Sequence, residues 1–175
     1  MNPIKIFSLA LFALVLSLTK SYAQSVPKNS FKLDVGAETM LPFNRSNLAY
    51  KEYKFGAGAS ARLNYGISNS TALTLTSGYY NFFDTKDFKN LYGTDFKVIP
   101  VKVGFKTFVL PHIYVNAEAG VAFTKTYENN IKAIYSGGIG WASGGLDIGA
   151  KFENYSGQNS GFNTVGLRVA YGFKL

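Results

Sequence analysis

The chain has 175 residues, 47% hydrophobic, 16% aromatic and only 16% charged, with 18 Gly, 5 Pro, no Cys and a formal charge of +8. That is one domain's worth of chain, too apolar for disorder, short of charge and rich in Gly, Tyr and Phe compared with an average soluble domain. The lack of Cys excludes a disulfide framework, a thiolate metal site, a cysteine nucleophile and a lipidated N-terminal cysteine.

Residues 1–23 carry Lys5, the apolar run Ile6 to Leu16, and Ser21-Tyr22-Ala23 with small residues at the two positions a signal peptidase reads. The run is shorter than the roughly 20 residues of a spanning helix and a cleavage site follows it. It therefore predicts a secretory signal peptide cut after Ala23, leaving residues 24–175 as the folded domain. Without Lys5 and Lys20 the mature chain holds 16 basic and 10 acidic residues, a charge near +6.

In the mature chain, hydrophobicity alternates with period two. In residues 31–40, Phe31, Leu33, Val35 and Ala37 oppose Lys32, Asp34, Gly36 and Glu38. The same pattern predicts further strands at 54–65, 71–82, 96–108, 112–124, 133–142, 145–155 and 162–174, with 71–82 alternating least cleanly. The intervening segments hold about 13, 5, 13, 3, 8, 2 and 6 residues. Gly66-Ile67-Ser68-Asn69-Ser70, Val109-Leu110-Pro111 and Ser143-Gly144 read as hairpin turns. Eight antiparallel strands with tight turns at one end and longer connections at the other predict an all-β, up-and-down barrel. The longer connections fall at 41–53, 83–95, 125–132 and 156–161.

Such barrels are apolar inside when soluble and apolar outside in an outer membrane. The polar face here collects Gly36, Gly56, Gly58, Gly104, Gly120, Gly138, Gly140, Gly149, Gly166 and Gly172 among charged residues. Glycine gains nothing on an open aqueous surface, but inside a narrow barrel it makes room for long side chains from the facing wall. The other face shows no charge in the strand interiors, as in Ile99, Val101, Val103 and Phe105, where a charge at mid-bilayer would cost roughly 2–4 kcal/mol. Phe31, Tyr65, Tyr79, Tyr127, Tyr135, Trp141, Phe152, Tyr171 and Phe173 share that face, many near strand ends, as interfacial girdles require. The sequence thus predicts a transmembrane barrel with a polar lumen, both termini in the periplasm and four surface loops.

Val98-Ile99-Pro100-Val101-Lys102-Val103-Gly104-Phe105-Lys106, then Ile113-Tyr114-Val115-Asn116-Ala117-Glu118-Ala119-Gly120, resembles the Ile-Pro-Val/Leu strand and its Gly-containing successor in the outer membrane β-barrel domain family, the small porin-family proteins of Bacteroidetes, OmpA/OmpX-like in type. With the signal peptide and the strand Val165 to Phe173, the likeness spans the chain. It implies insertion by the barrel assembly machinery, whose usual signal is a last strand ending in an aromatic. Here Leu175 ends the chain and the signal is shifted to Phe173 and Tyr171. The family has no single assigned activity.

Lumen-phase charges are Lys32, Asp34, Glu38, Lys54, Arg62, Lys102, Lys106, Glu118, Asp147, Lys151, Glu153, Arg168 and Lys174. If the Val109-Leu110-Pro111 turn pairs Phe108 with His112, Lys102 lies directly opposite Glu118. The expected candidate site is a buried ion-pair network of Asp34, Arg62, Lys102, Glu118, Asp147, Lys151, Glu153 and Arg168, with Arg168 meeting Asp147 or Glu153, which plugs the lumen in preference to lining a narrow channel. On the loops, Tyr50, Lys51, Tyr53, Lys86, Phe88, Lys89 and Tyr92 are candidates to meet lipopolysaccharide phosphates or a partner's surface. The single histidine, His112, follows Pro111 in a turn with no evident serine partner, which argues against an outer-leaflet lipid enzyme. Basic residues spread along strands argue against nucleic acid. No cofactor or metal is expected, and the barrel is read as a monomer with a structural or interactive role; a soluble ligand carrier and an outer-leaflet lipid enzyme are the competing classes.

Overall fold

The computed structural model describes residues 26–43, 53–84, 96–125, 129–157 and 161–175. Eight strands make up the fold: β1 (Phe31–Phe43), β2 (Tyr53–Gly66), β3 (Thr71–Asp84), β4 (Phe96–Phe108), β5 (Ile113–Lys125), β6 (Asn129–Ser143), β7 (Leu146–Ser156) and β8 (Phe162–Lys174). Each pairs antiparallel with its chain neighbours, and β8 pairs with β1, so the sheet closes in the order β1 to β8. Closure leaves no unpaired sheet edge, the condition for strands to exist in lipid. The fold class is the one expected, an eight-stranded antiparallel up-and-down transmembrane β-barrel.

Alternation in sequence becomes inside and outside. In β3, read as the least regular strand, Ala72, Thr74, Thr76, Tyr80 and Phe82 are buried while Leu73, Leu75, Ser77, Tyr79 and Phe83 are exposed. Aromatics on both faces blurred its hydrophobic pattern, not its geometry. The outer wall is apolar, with Val103 61%, Leu167 60% and Ile131 66% exposed. Paired rings stand at both rims: Phe31 on Tyr65 (4.8 Å) and Tyr171 on Phe173 (5.2 Å) at the end holding the tight turns, and Phe43 near Phe152 (6.0 Å) at the other.

Three strands outrun their predicted ends on the loop side by two residues or more. β1 continues to Phe43, β3 to Asp84, and β6 begins at Asn129. Parts of the expected loops 41–53, 83–95 and 125–132 are therefore barrel wall, because ladder pairing continues where the hydrophobic alternation fades. At the opposite end β6 and β7 join through Gly144 (φ 58°) and Gly145 (φ 94°), two consecutive left-handed residues that match a two-residue hairpin to the strand twist.

The register of β4 on β5 differs from the expected one. Phe108 pairs with Tyr114, not His112, so Lys102 faces Gly120 and Glu118 faces Gly104. Five residues, not three, separate the paired Phe108 and Tyr114, and the Val109 and Leu110 N–H groups both donate to the Ile113 carbonyl (2.9 and 3.2 Å). A slip of two leaves every side chain on its own face. It also sets Lys102 and Glu118 each against a glycine.

Candidate functional site: the ion-paired lumen

The interior wall begins with glycine. At all ten glycines of the polar face an added Cβ would come within 2.8 Å of a neighbouring atom. Cross-strand register shows what the space is for. Gly58 faces Glu38, Gly172 faces Asp34, Gly149 faces Arg168, Gly140 faces Tyr114, and Lys151 has Gly138 on one side and Gly166 on the other. Where a large residue has no glycine opposite, its neighbours are still short, as with Glu153 between Ser136 and Thr164.

Nine charges on six strands then join into one chain of contacts. Glu118 accepts from Arg62 (3.3 Å) and Lys102 (3.4 Å), and from the hydroxyls of Thr76 (2.6 Å) and Thr74 (3.1 Å). Lys102 also reaches Glu153 (2.5 Å), which pairs with Lys151 (2.9 Å). Lys151 pairs with Glu38, and Glu38 with Arg168 (3.3 Å). Arg168 stands 3.6 Å from Asp147, which pairs with Lys106 and accepts from the Tyr114 hydroxyl (2.6 Å). Asp34 forms a separate pair with Lys32 (3.0 Å) and accepts from Asn64 (2.8 Å), while its backbone carbonyl accepts from Arg168 (3.4 Å). All eleven charged residues are buried. Buried charges survive only when paired and hydrogen-bonded.

The structure therefore brings Arg62, Lys102, Glu118, Glu153, Lys151, Arg168 and Asp147 together, and joins Asp34 at the side. Lys102 and Glu118 meet diagonally, not face to face. Arg168 meets Asp147 and Glu38; Glu153 belongs to Lys102 and Lys151 instead. Of the other lumen-phase charges, Lys54 and Lys174 are exposed at the rims. Lys132, assigned by sequence to a loop, is buried inside the barrel.

Sequence reasoning passed over the upper part of the lumen. Toward the loop end the interior turns apolar, where Met40, Tyr80, Phe82, Phe96, Val98, Ala122, Ile134, Tyr155 and Phe162 form one buried cluster. Tyr155 stacks on Phe162 at 4.4 Å and 5°, while Phe82 and Phe96 meet the same ring edge-on at 5.8 Å. Two tyrosines tie this cap to the charges: Tyr155 donates to Glu153 (2.9 Å), and Tyr80 accepts from Lys151 (3.3 Å). Period-two counting already puts residues 80, 82, 96, 155 and 162 inward, but a search for lumen charge has no reason to select them.

His112 lies half-buried in the turn after β4, its ring 6.2 Å from that of Trp141 and its carbonyl accepting from the Ala142 N–H (2.8 Å). The loop candidates Tyr50, Lys51, Lys86, Phe88, Lys89 and Tyr92 lie outside the described residues, as does the girdle candidate Tyr127, and Tyr53 is described only as the backbone opening β2.

No protein-family model matches the chain, and no curated protein matches it. Among solved structures it is similar to Ail, the attachment invasion locus protein of Yersinia pestis, at 16% identity and TM-score 0.59, covering 83% of this chain and 99% of that one. It is similar to the N-terminal β-barrel domain of Pseudomonas aeruginosa OprF at 15% identity and TM-score 0.56, over 83% and 98%. The outer membrane protein OprG of Pseudomonas aeruginosa follows at 10% identity and TM-score 0.50, over 87% and 98%. The chain thus has the fold of an eight-stranded outer-membrane β-barrel.

Proposed function

We propose that this chain is an integral protein of a Gram-negative outer membrane, a plugged barrel with a structural or surface-interaction role and no open pore. The observation that carries the reading is the arrangement of its faces: an apolar outer wall around a lumen filled by one chain of ion pairs beneath an aromatic cap. A water-soluble carrier needs the reverse, a polar exterior and an apolar cavity. Eight strands enclose a space that side chains can fill, and the buried ion pairs and rings support that reading.

On this reading residues 1–23 are a cleaved signal peptide and 24–175 the barrel domain. The tight turns and both termini face the periplasm, and the barrel assembly machinery inserts the chain as a monomer among outer-membrane lipid and lipopolysaccharide. The Bacteroidetes-type likeness rests on sequence: the Ile99-Pro100-Val101 strand and its successor, together with the signal peptide and the last strand. No catalytic or cofactor role is assigned.

Cell fractionation with a gel of unboiled and boiled envelope extract tests the placement. A heat-modifiable band in the outer-membrane fraction is the expected result. A soluble periplasmic protein whose mobility ignores boiling refutes it.

A further inference from the structure

The outer wall carries charge at one place. Apart from the irregular end of β2, where the ladder shifts between Tyr53 and Phe55, the outward positions of the eight strands hold two charged residues, Lys97 and Lys125. They are direct cross-strand partners on β4 and β5, both exposed, at the loop end of the apolar wall. Among the described residues neither has an ion-pair partner. Like charges set opposite each other on a sheet repel, and more so beside hydrocarbon than in water. Among the described residues the pair is thus unfavourable by itself and becomes favourable when an anion bridges the two ammonium groups.

What lies beside them narrows the anion. One pleat nearer mid-wall, Ile99 pairs with Phe123 and Phe123 with Ile131. With Tyr79 and the stems of the two lysines they line a concavity of about 400 Å³. A cationic pair above an apolar hollow fits an amphiphile whose phosphate sits at the membrane border and whose acyl chain runs down the wall. A soluble phosphate would use the lysines and leave the hollow empty.

We infer that Lys97 and Lys125 with the groove beneath them form a binding site for a phosphorylated lipid of the outer leaflet, the phosphate held between the two ammonium groups and an acyl chain lying against Ile99, Phe123 and Ile131. The inference rests on the proposed placement in the outer membrane, with the loop end facing outward. It differs from the loop contacts expected from sequence, since both lysines belong to the barrel wall.

The test uses the full mature chain folded in detergent micelles, with diphosphoryl lipid A titrated in and retention read by native mass spectrometry. Each lysine near a charged lipid surface contributes enough that losing both weakens binding roughly 30-fold in K97Q/K125Q. K97R/K125R retains binding, and K174Q, at the opposite rim, matches the parent. Inorganic phosphate does not displace the lipid. Equal retention by K97Q/K125Q and the parent overturns the site, as does an equal loss in K174Q or displacement by inorganic phosphate. Heat-modifiable mobility, run on every variant, reports folding separately. A protein that fractionates as soluble would refute the outer-membrane reading itself, whereas a folded outer-membrane barrel indifferent to Lys97 and Lys125 would refute this site alone.

Discussion

Glu118 shows how the lumen holds a buried charge. Its two carboxylate oxygens meet two cations and two threonine hydroxyls, so the burial cost is set against four directed contacts. Removing one partner of such a pair leaves the other charge uncompensated, and that asymmetry makes the residue a sensitive probe. E118A, which strands Arg62 and leaves Lys102 only Glu153, is expected to lower stability by about 3–5 kcal/mol, read as the urea midpoint of the refolded barrel. Thr76→Val removes a hydroxyl that donates to Glu118 and accepts from Arg62 but leaves the ion pairs in place, so its cost should be about 1–2 kcal/mol. An E118A midpoint equal to the parent's would mean the carboxylate is not buried among these cations.

At the scale of elements, small residues decide how strands meet. Alternation told which face each residue takes, and the eight strands follow it closely. It could not tell register on the β4 to β5 hairpin, because a shift of two residues preserves every face. Volume chose between the two registers: the observed one sets Lys102 and Glu118 against Gly120 and Gly104, where a Cβ would fall 2.0 Å from a backbone oxygen of the adjoining strand. Turn geometry is equally demanding at Gly144 and Gly145. An alanine at 145 would have to adopt φ near 94° and would meet the Tyr171 ring at 2.8 Å. G145A is expected to destabilise the barrel by about 1–3 kcal/mol, whereas Asn at 144, a position of ordinary left-handed geometry, should stay within about 0.5 kcal/mol of the parent. Urea unfolding of the two variants side by side checks the contrast.

Across the whole molecule, ion pairs occupy the middle of the barrel and aromatic rings pack toward the loop end; on the proposed reading both close the lumen. The two closures act in series. Opening the rings alone leaves the ion pairs across the path, so F82A/F162A should conduct no more than the parent in a planar bilayer. Both are expected to be electrically silent at the single-channel level, and steady unitary currents from the parent protein would show that a water path bypasses the network. The aromatic cap has a further structural consequence. Tyr80 and Tyr155 hydrogen-bond downward to Lys151 and Glu153, so the apolar and ionic layers share one set of rotamers.

Composition and period by themselves determined the class of protein: eight alternating segments, uncharged on one face and glycine-lined on the other, describe a transmembrane barrel before any contact is known. They also placed the lumen charges on one wall, because side-chain direction in a strand is local. Which charge meets which was decided only by closure of the sheet. Arg168 reaches Glu38 on one side and Asp147 on the other because β8 lies between β1 and β7. The pairing of Lys97 with Lys125 on the outer wall is likewise a fact of register. Strand periodicity fixes a residue's face; its neighbours across the ladder depend on how the strands slide, and that is settled by the volumes and turns of the closed barrel.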